Sequence, residues 1–240
     1  MKLLFATIAV CVVWTSPSVI AEVQTKIANI GETTVHYKVV LPKGFDPAKV
    51  YPGVLAFGGG PQTMDVIDRA LLRNWQKVAE SRGYIVILPA APDDVLFYKG
   101  GEKIFPEFIV KMLADYKIQD NKFNVAGNSN GGISAFLVAA AYPQYFLSVT
   151  VFPGYLLRDT AVSLKNISGM CINMYVGELD SWWLDHMRKQ ADEFRELGMA
   201  VEFSAEKGQS HTIGTLIGAG AARLFNGFDE AHHGCSRAGF

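Results

Sequence analysis

The stretch Lys122–Gly132, with the sequence KFNVAGNSNGG, constrains the fold of this chain more than any other stretch. It contains Gly127, Ser129 and Gly131 in the pattern G-x-S-x-G, which is typical of a sharp turn between a strand and a helix. Such a turn brings backbone close to the serine, so the positions two before and two after it need glycine. The pattern therefore predicts that Ser129 projects from a strained strand–helix turn.

The residues on either side of this turn have the context that the pattern requires. Phe123, Val125 and Ala126 form a short apolar run before it, as a buried central strand should. After it, apolar residues recur with the spacing of one helical face: Ile133, Phe136, Leu137, Ala140 and Ala141. Pro143 then ends the predicted helix. This context favours Ser129 as a nucleophile over an incidental serine in a glycine-rich turn.

Residues 1–21 predict a secretory signal peptide. A positive Met1-Lys2 start precedes an apolar stretch, Leu3 to Trp14, and small residues follow up to Ala21. The apolar stretch is too short to span a bilayer of ~30 Å, and an uncleaved anchor or a core helix is the alternative. We therefore expect a secreted or periplasmic protein without stable membrane insertion, whose mature part is residues 22–240.

The composition fits one α/β domain with a sizeable core, since half of the 240 residues are hydrophobic and the net charge is −1. No segment of the chain is basic enough to suggest a nucleic-acid partner. Cys171 and Cys235 are the cysteines outside the predicted signal peptide. An exported protein could pair them, but Cys171 also fits an ordinary buried apolar residue at the start of a strand. The pairing therefore stays open at this point.

Strand-like and helix-like segments alternate along the mature chain. The opening segment 23–41 predicts a hairpin. Further strands are predicted at 54–57, 84–88, 123–126, 146–152, 170–176 and 201–205. Helical faces are predicted at 67–78, 105–116, 133–141, 183–197 and 213–225. This alternation predicts a mostly parallel sheet with helices on both faces.

A serine nucleophile needs a base within hydrogen-bond reach and an acid that orients this base. In a serine hydrolase with this strand–helix alternation, the chain order is serine, acid, histidine, and each partner lies in a loop after a strand. Asp180 follows the strand at 170–176, and His211 follows the last predicted strand. The sequence therefore predicts Ser129, Asp180 and His211 as a catalytic triad.

Other acids and histidines fit these roles less well. Glu178 comes earlier in the acid loop, and Asp185 lies in the following helix, where we expect it to face solvent. Asp180 itself also suits a helix N-cap, which is the alternative for that residue. The other histidines lie in the opening hairpin, inside a helix and in a glycine-containing tail: His36, His186, His232 and His233.

An oxyanion hole in such a site consists of backbone N–H groups, one of them on the residue after the nucleophile, here Asn130. The second donor is expected in the glycine-rich loop after the strand at 54–57, which reads FGGGP and resembles the H-G-G-G type with Phe in place of His. Gly60 and Gly59 are the candidates. No Lys-Ser or Lys-Thr pair follows the glycines, which argues against a phosphate-binding loop.

Together these features resemble the α/β-hydrolase superfamily. Within it, the chain is most similar to secreted esterases of the polyhydroxybutyrate depolymerase and feruloyl or acetylxylan esterase type. The segment Asp120–Gly132 is similar to their Asp-x-x-[RK]-[hydrophobic]-x-[hydrophobic]-x-G-x-S-x-G-G pattern, with one residue fewer between acid and base. The resemblance runs from about Tyr37 to Phe225. The acid loop departs from it, because Ser181-Trp182-Trp183 stands where relatives often have a small apolar residue and proline.

The resemblance implies an α/β-hydrolase fold and an exported serine ester hydrolase that needs no metal and no organic cofactor. We expect short-chain or aryl carboxylic esters as substrates, free or polymer-borne. Residues 153–169 leave room for a short helix but not for a separate cap domain, which predicts an open cleft. The predicted pocket residues are aromatic: Trp182, Trp183, Tyr155, Phe97 and Tyr98. The alternatives are a peptidase or amidase with the same triad, and a catalytically silent binding protein.

Overall fold

A mixed eight-stranded sheet lies at the centre of the fold. The computed structural model describes residues 22–157 and 164–235, so the predicted signal peptide lies outside the described residues. The strands are β1 Val23–Ile30, β2 Thr33–Val40, β3 Tyr51–Phe57, β4 Ile85–Pro89, β5 Ile118–Gly127, β6 Phe146–Val151, β7 Cys171–Gly177 and β8 Val201–Glu206. Their order is β1-β2-β4-β3-β5-β6-β7-β8. The β1–β2 and β2–β4 pairs are antiparallel and the others are parallel, as the alternating pattern predicts.

Helices cover both faces of the sheet. They are α1 Met64–Ala70, α2 Gln76–Arg82, α3 Phe105–Asp115, α4 Asn130–Ala141, α5 Ser181–Glu196 and α6 Ala222–His232. One face packs against α3, α4 and α5, where Phe108, Phe136 and Phe194 are buried. The other face packs against α1, α2 and α6, around Trp75 and Phe225. Because both faces are covered, the central strands are buried on both sides, and even the polar Ser148 and Thr150 of β6 are fully buried.

Two predicted helices differ from the observed ones. The helix predicted at 67–78 is interrupted by a π-helical turn, Leu71–Trp75, that joins α1 to α2. The last helix, predicted to begin near 213, begins only at 222, after 3₁₀ turns at Gly214–Leu216 and Gly218–Ala221. Gly218 has a left-handed φ of +61°, which an α-helix cannot contain. The apolar residues before position 222 therefore have helical spacing, although the backbone there is not α-helical.

The placement of His232 in a tail is also wrong. It is the last residue of α6, and only 6% of its side chain is exposed. Its Nε2 lies 3.4 Å from Asn124 Nδ2 on β5, beneath the helix. Burial lowers the pKa of this imidazole. The sequence pattern of α6 ended too early because the last turn of the helix carries few apolar residues, and Asp229 and Glu230 in it are exposed.

Cys171 and Cys235 form a disulfide bond, which settles the alternative that the sequence left open. The bond ties the first residue of β7 to the chain just beyond α6, across 64 positions of sequence. It therefore fixes α6 against the sheet at the edge opposite the ends of the parallel strands where the active-site loops begin.

Two connections matter for the site. Between β6 and β7, a 3₁₀ turn at Leu164–Ile167 packs on the core, and residues 158–163 lie outside the described part. The stretch between β4 and α3 folds into short 3₁₀ turns, one of them Phe97–Lys99. Phe97 is fully buried there and packs against Phe57 and Phe105, so its prediction as a pocket residue is wrong.

In the described part of the chain, none of the helices is long and apolar enough to cross a membrane.

Candidate active site

Ser129 occupies the turn between β5 and α4 in a strained backbone conformation. Its φ is 55° and its ψ is −123°, a region that non-glycine residues rarely adopt. The backbone N–H of Ser129 donates a 2.6 Å hydrogen bond to the carbonyl oxygen of Pro153, at the end of the neighbouring strand β6. Strain of this kind costs on the order of 1–3 kcal/mol and persists only where the surrounding structure imposes it.

The glycines around Ser129 are required by close backbone contacts. A Cβ on Gly127 would overlap the carbonyl oxygen of Gly131, four residues later. A Cβ on Gly131 would overlap the carbonyl oxygens of Phe57 and Gly58 at the end of β3. The crowding that the sequence pattern predicts at these positions is therefore confirmed, and it extends to the neighbouring strand.

His211 and Asp180 complete a hydrogen-bonded row with Ser129. His211 Nε2 lies 3.0 Å from Ser129 Oγ, and His211 Nδ1 lies 2.6 Å from Asp180 Oδ2. A carboxylate only accepts hydrogen bonds, so Nδ1 carries the proton and Nε2 is free to accept from the serine hydroxyl. The imidazole is about half exposed, while only 16% of the Asp180 side chain is exposed. The structure thus brings together the three residues that the sequence singled out.

The competing acids are placed differently. Asp180 precedes α5 but its side chain makes no capping hydrogen bond, so the carboxylate is committed to His211. Asp185 lies exposed on α5. Glu178 accepts a hydrogen bond from the backbone N–H of Gly208 at 2.9 Å, in the loop that carries the histidine. Glu178 therefore links the two loops.

Glu206, at the end of β8, anchors the histidine loop. Its buried carboxylate accepts two hydrogen bonds from Arg223 at 2.8 Å and one each from Thr215 and Ser204 at 2.7 Å. The hydrogen bonds from Arg223 are the main reason that the pKa of Glu206 falls to about 2. Arg223 lies on α6, so the loop between β8 and α6 is held at both ends. Sequence reasoning did not single out either residue.

The glycine loop after β3 lies directly against the nucleophile. A Cβ on Gly59 would come within 3.3 Å of Ser129 Cβ, so the backbone of Gly59 borders the serine. Gly60 has a left-handed φ of +53°, and its carbonyl oxygen accepts a 2.9 Å hydrogen bond from Asn130 Nδ2. Asn130 is the first residue of α4, where backbone N–H groups lack intrahelical partners. Of the three predicted oxyanion residues, Asn130 directly follows Ser129, Gly59 borders it, and Gly60 is hydrogen-bonded to Asn130.

An aromatic cluster flanks His211. The Trp183 ring lies 5.3 Å from the imidazole, and Tyr155 lies 5.3 Å from Trp183. Trp182, about half exposed, contacts both rings and lies 4.1 Å from the His186 ring at a tilt of 31°. Sequence reasoning placed His186 in a helix without a role. Burial raises the pKa of Tyr155, and the nearby Tyr98 raises it further. These rings form one continuous aromatic wall beside His211.

The wall continues into a cavity of about 370 Å³ that is lined by Tyr155, Leu156, His186, Lys189 and Gln190. Tyr98, across the cleft, donates a 3.3 Å hydrogen bond to Asn130 Oδ1. Among the residues that the structure describes, no group of three or more His, Cys, Asp or Glu side chains is arranged to hold a metal ion.

Part of the chain is similar in sequence to a known esterase. No protein-family model matches the chain. The chain is 24% identical over 120 residues to the probable acetylxylan esterase A of Neosartorya fischeri, and the match covers 45% of this chain. It covers only 29% of that relative, so the chain spans less than a third of its length.

Solved structures match nearly all of the described fold. A thermostable esterase superposes with a TM-score of 0.68 at 17% identity, over 89% of this chain and 63% of the other. A ferulic acid esterase from Anaeromyces mucronatus, solved with ferulic acid, superposes with a TM-score of 0.61 at 19% identity, over 87% and 89% of the two chains. At this level of identity the likeness shows the fold alone.

Proposed function

We propose that this chain, which has the α/β-hydrolase fold, is a serine carboxylic-ester hydrolase. One observation carries the proposal: Ser129, held in a strained turn, lies 3.0 Å from an imidazole that is bound at 2.6 Å to a carboxylate. This arrangement supplies a nucleophile, a general base and an orienting acid in one hydrogen-bonded row. The esterases among the similar proteins support the choice of ester as the scissile group.

In the proposed mechanism, Ser129 Oγ attacks the ester carbonyl carbon while His211 Nε2 accepts the hydroxyl proton. Asp180 holds the Nδ1–H tautomer and stabilises the imidazolium that forms. The tetrahedral intermediate collapses when His211 protonates the leaving alcohol, which leaves an acyl-enzyme on Ser129. Water, deprotonated by His211, then attacks the acyl carbon and releases the acid and the free serine.

The oxyanion of each tetrahedral intermediate would accept hydrogen bonds from two backbone N–H groups. Asn130, at the N-terminus of α4, supplies one of them in this proposal. For the second donor we favour Gly59 over Gly60, because the backbone of Gly59 borders Ser129 whereas Gly60 is more exposed. Both sites need glycine for different reasons: close contact at Gly59 and a left-handed φ at Gly60.

For the substrate we propose short-chain or aryl carboxylic esters, small or borne on a polymer. Trp183 and Tyr155 offer flat rings beside His211, against which an aryl or small acyl group can pack. In the described residues, the chain between β6 and β7 forms no separate cap over the serine. A cleft without a separate cap domain suits a group that projects from a polymer as well as a soluble ester.

We also propose that the protein acts outside the cytoplasm, secreted or in a periplasm. The Cys171–Cys235 disulfide supports an oxidising compartment, because such bonds are rare in the cytosol, where thiols are kept reduced. The predicted signal peptide supports the same location.

The proposal can be tested by labelling the protein with a fluorophosphonate and locating the adduct by peptide mass spectrometry. The predicted adduct is on Ser129, and His211→Ala should slow labelling strongly because the serine loses its base. A silent binding protein would show no adduct. A matched pair, p-nitrophenyl acetate and p-nitroacetanilide, separates an esterase from an amidase, since both carry the same acyl group. Faster cleavage of the anilide would favour the amidase alternative.

A further inference from the structure

Gln62 is a fully buried polar residue at the end of the glycine loop, and the site described above assigns it no role. Its φ of 56° is left-handed, which is uncommon for a residue with a side chain. Its backbone N–H donates to the carbonyl oxygen of Gly59 at 3.1 Å, and its own carbonyl oxygen accepts from Ala91 at 2.9 Å. The backbone of Gln62 thus closes the turn that contains Gly59 and Gly60.

The side-chain amide of Gln62 uses both its donors and its acceptor. Nε2 donates to the carbonyl oxygen of Gly58 at 3.2 Å and to Ser134 Oγ at 3.0 Å. Oε1 accepts a 3.0 Å hydrogen bond from the backbone N–H of Phe97. Three separate parts of the chain therefore meet on one buried amide: the glycine loop, helix α4 and the 3₁₀ turn that begins at Phe97.

The contact with Ser134 continues to the residue after the nucleophile. Ser134 Oγ donates in turn to the carbonyl oxygen of Asn130 at 2.9 Å. On the outer side, Asn130 Nδ2 donates to the carbonyl oxygen of Gly60 at 2.9 Å. The glycine loop and the first turn of α4 are thus joined twice. One connection runs through the side chains of Gln62 and Ser134, and the other is the direct hydrogen bond from Asn130 to Gly60. These are the two segments that would supply the oxyanion donors.

We propose that Gln62 is the positioning residue of the oxyanion hole, which fixes the glycine loop relative to the N-terminus of α4. The inference rests on the proposed function. Its physical basis is that oxyanion donors stabilise a transition state only when they are held at the right place in advance. Glutamine suits this position because its amide donates twice and accepts once. Glutamate has the same shape but cannot donate, and its charge would repel the carbonyl oxygen of Gly58.

The test compares Gln62→Glu with wild type in ester turnover and in inhibition by a trifluoromethyl ketone, whose serine adduct carries an oxyanion. We expect kcat to fall by roughly 10- to 100-fold, less than the ~10²–10³-fold loss of a donor itself, because the donors are displaced and not removed. The inhibition constant should rise by a similar factor, and KM should change less than threefold. A purely structural role would lower thermal stability without this kinetic pattern.

Asn124→Asp is the matched control. Asn124 is also a fully buried amide, on β5, but its side chain contacts Ser148 and His232 and not the glycine loop. This variant should lose stability, and its folded form should keep the kcat and the inhibition constant of wild type. A folded Gln62→Glu protein that behaves in the same way would overturn the inference.

Ser134→Ala provides a second variant if Gln62→Glu does not fold. It removes the hydroxyl between Gln62 and Asn130 without burying a charge, and kcat and the inhibition constant should each worsen by roughly 3- to 10-fold, a fraction of a full donor's effect. Unchanged values would overturn the inference. Ser129→Ala, measured alongside, separates the two proposals. If wild type turns over ester and Ser129→Ala does not, the proposed function stands even where the role of Gln62 falls. A wild type that neither turns over ester nor binds the ketone would remove both.

Discussion

The backbone N–H of Leu179 donates a 2.8 Å hydrogen bond to the carbonyl oxygen of Gln209, and this contact joins the acid loop to the histidine loop. A second backbone bond, from Glu178 to the carbonyl oxygen of Glu206 at 3.0 Å, runs beside it. The loops are so close that a Cβ on Gly177 would overlap the carbonyl oxygen of Ser210. The relative position of Asp180 and His211 is therefore set by backbone contacts, before their side chains meet.

Replacing Asp180 with asparagine should reduce kcat by ~10²–10⁴-fold, because the amide would favour the wrong tautomer of His211. Asp185→Asn is the matched control, since Asp185 lies exposed on α5 one turn further along. Steady-state rates on one aryl ester compare the two variants. If Asp185→Asn were the impaired variant, the acid would be misassigned.

Glu206→Gln should lower the free energy of unfolding by about 2 kcal/mol at pH 7, since charge-assisted hydrogen bonds from Arg223 are weakened. The pKa of this carboxyl is depressed from its usual 4.5 to about 2. Its stabilising contribution is therefore complete above about pH 4.5 and is lost as the pH falls toward 2.

Denaturant unfolding at several pH values between 7 and 2 checks this prediction. The free energy of unfolding should fall less steeply with acid in Glu206→Gln than in wild type, because the variant lacks this titrating group. Parallel curves for the two proteins would show that Glu206 does not carry this part of the acid sensitivity.

Opening the disulfide with the double change Cys171→Ser and Cys235→Ser should lower the free energy of unfolding by about 2–4 kcal/mol, since the bond closes a long loop. Both residues lie at the edge of the sheet opposite the triad, so kcat at a temperature where the variant is folded should stay close to wild type. Thermal unfolding followed by circular dichroism, with turnover measured in parallel, gives both quantities. A large loss of kcat in the folded variant would show that the bond also shapes the site.

Trp183→Ala should raise KM for an ester with an aromatic acyl group by roughly 2- to 10-fold, as expected from loss of one aromatic contact. KM for an acetyl ester of the same alcohol should change less, because its acyl group offers no ring. Leu197→Ala, an exposed apolar position at the end of α5, is the control for surface truncation. Equal changes for both esters would argue against a role of Trp183 in acyl selection.

The sequence predicted best what is local and periodic. The turn at Ser129 could be predicted because its glycine pattern lies within five residues, and the parallel sheet because strands and helices alternate. The fold prediction is confirmed, with an eight-stranded mixed sheet covered by helices on both faces. The row of Ser129, His211 and Asp180 was found by chain order, and its catalytic role stays a prediction.

The sequence could not reveal features that depend on distant partners. Gln62 and Glu206 are ordinary polar residues in the sequence, and only the folded chain shows that both are buried and fully hydrogen-bonded. Cysteine spacing alone did not show whether Cys171 meets Cys235, because pairing depends on the distance between their backbones. Phe97 was misread for the same reason, since an aromatic residue in a loop can face either the core or the cleft.

The proposed role of Ser129 as the nucleophile of an ester hydrolase is tested by comparing kcat of wild type and Ser129→Ala on p-nitrophenyl acetate. A folded Ser129→Ala protein, verified by an unchanged thermal midpoint within a few degrees, should lose ~10³-fold or more in kcat. His211→Ala should lose about as much, and the double variant no more than either alone, because the residues act as one unit. Wild-type turnover in a folded Ser129→Ala protein would show that Ser129 is not the nucleophile.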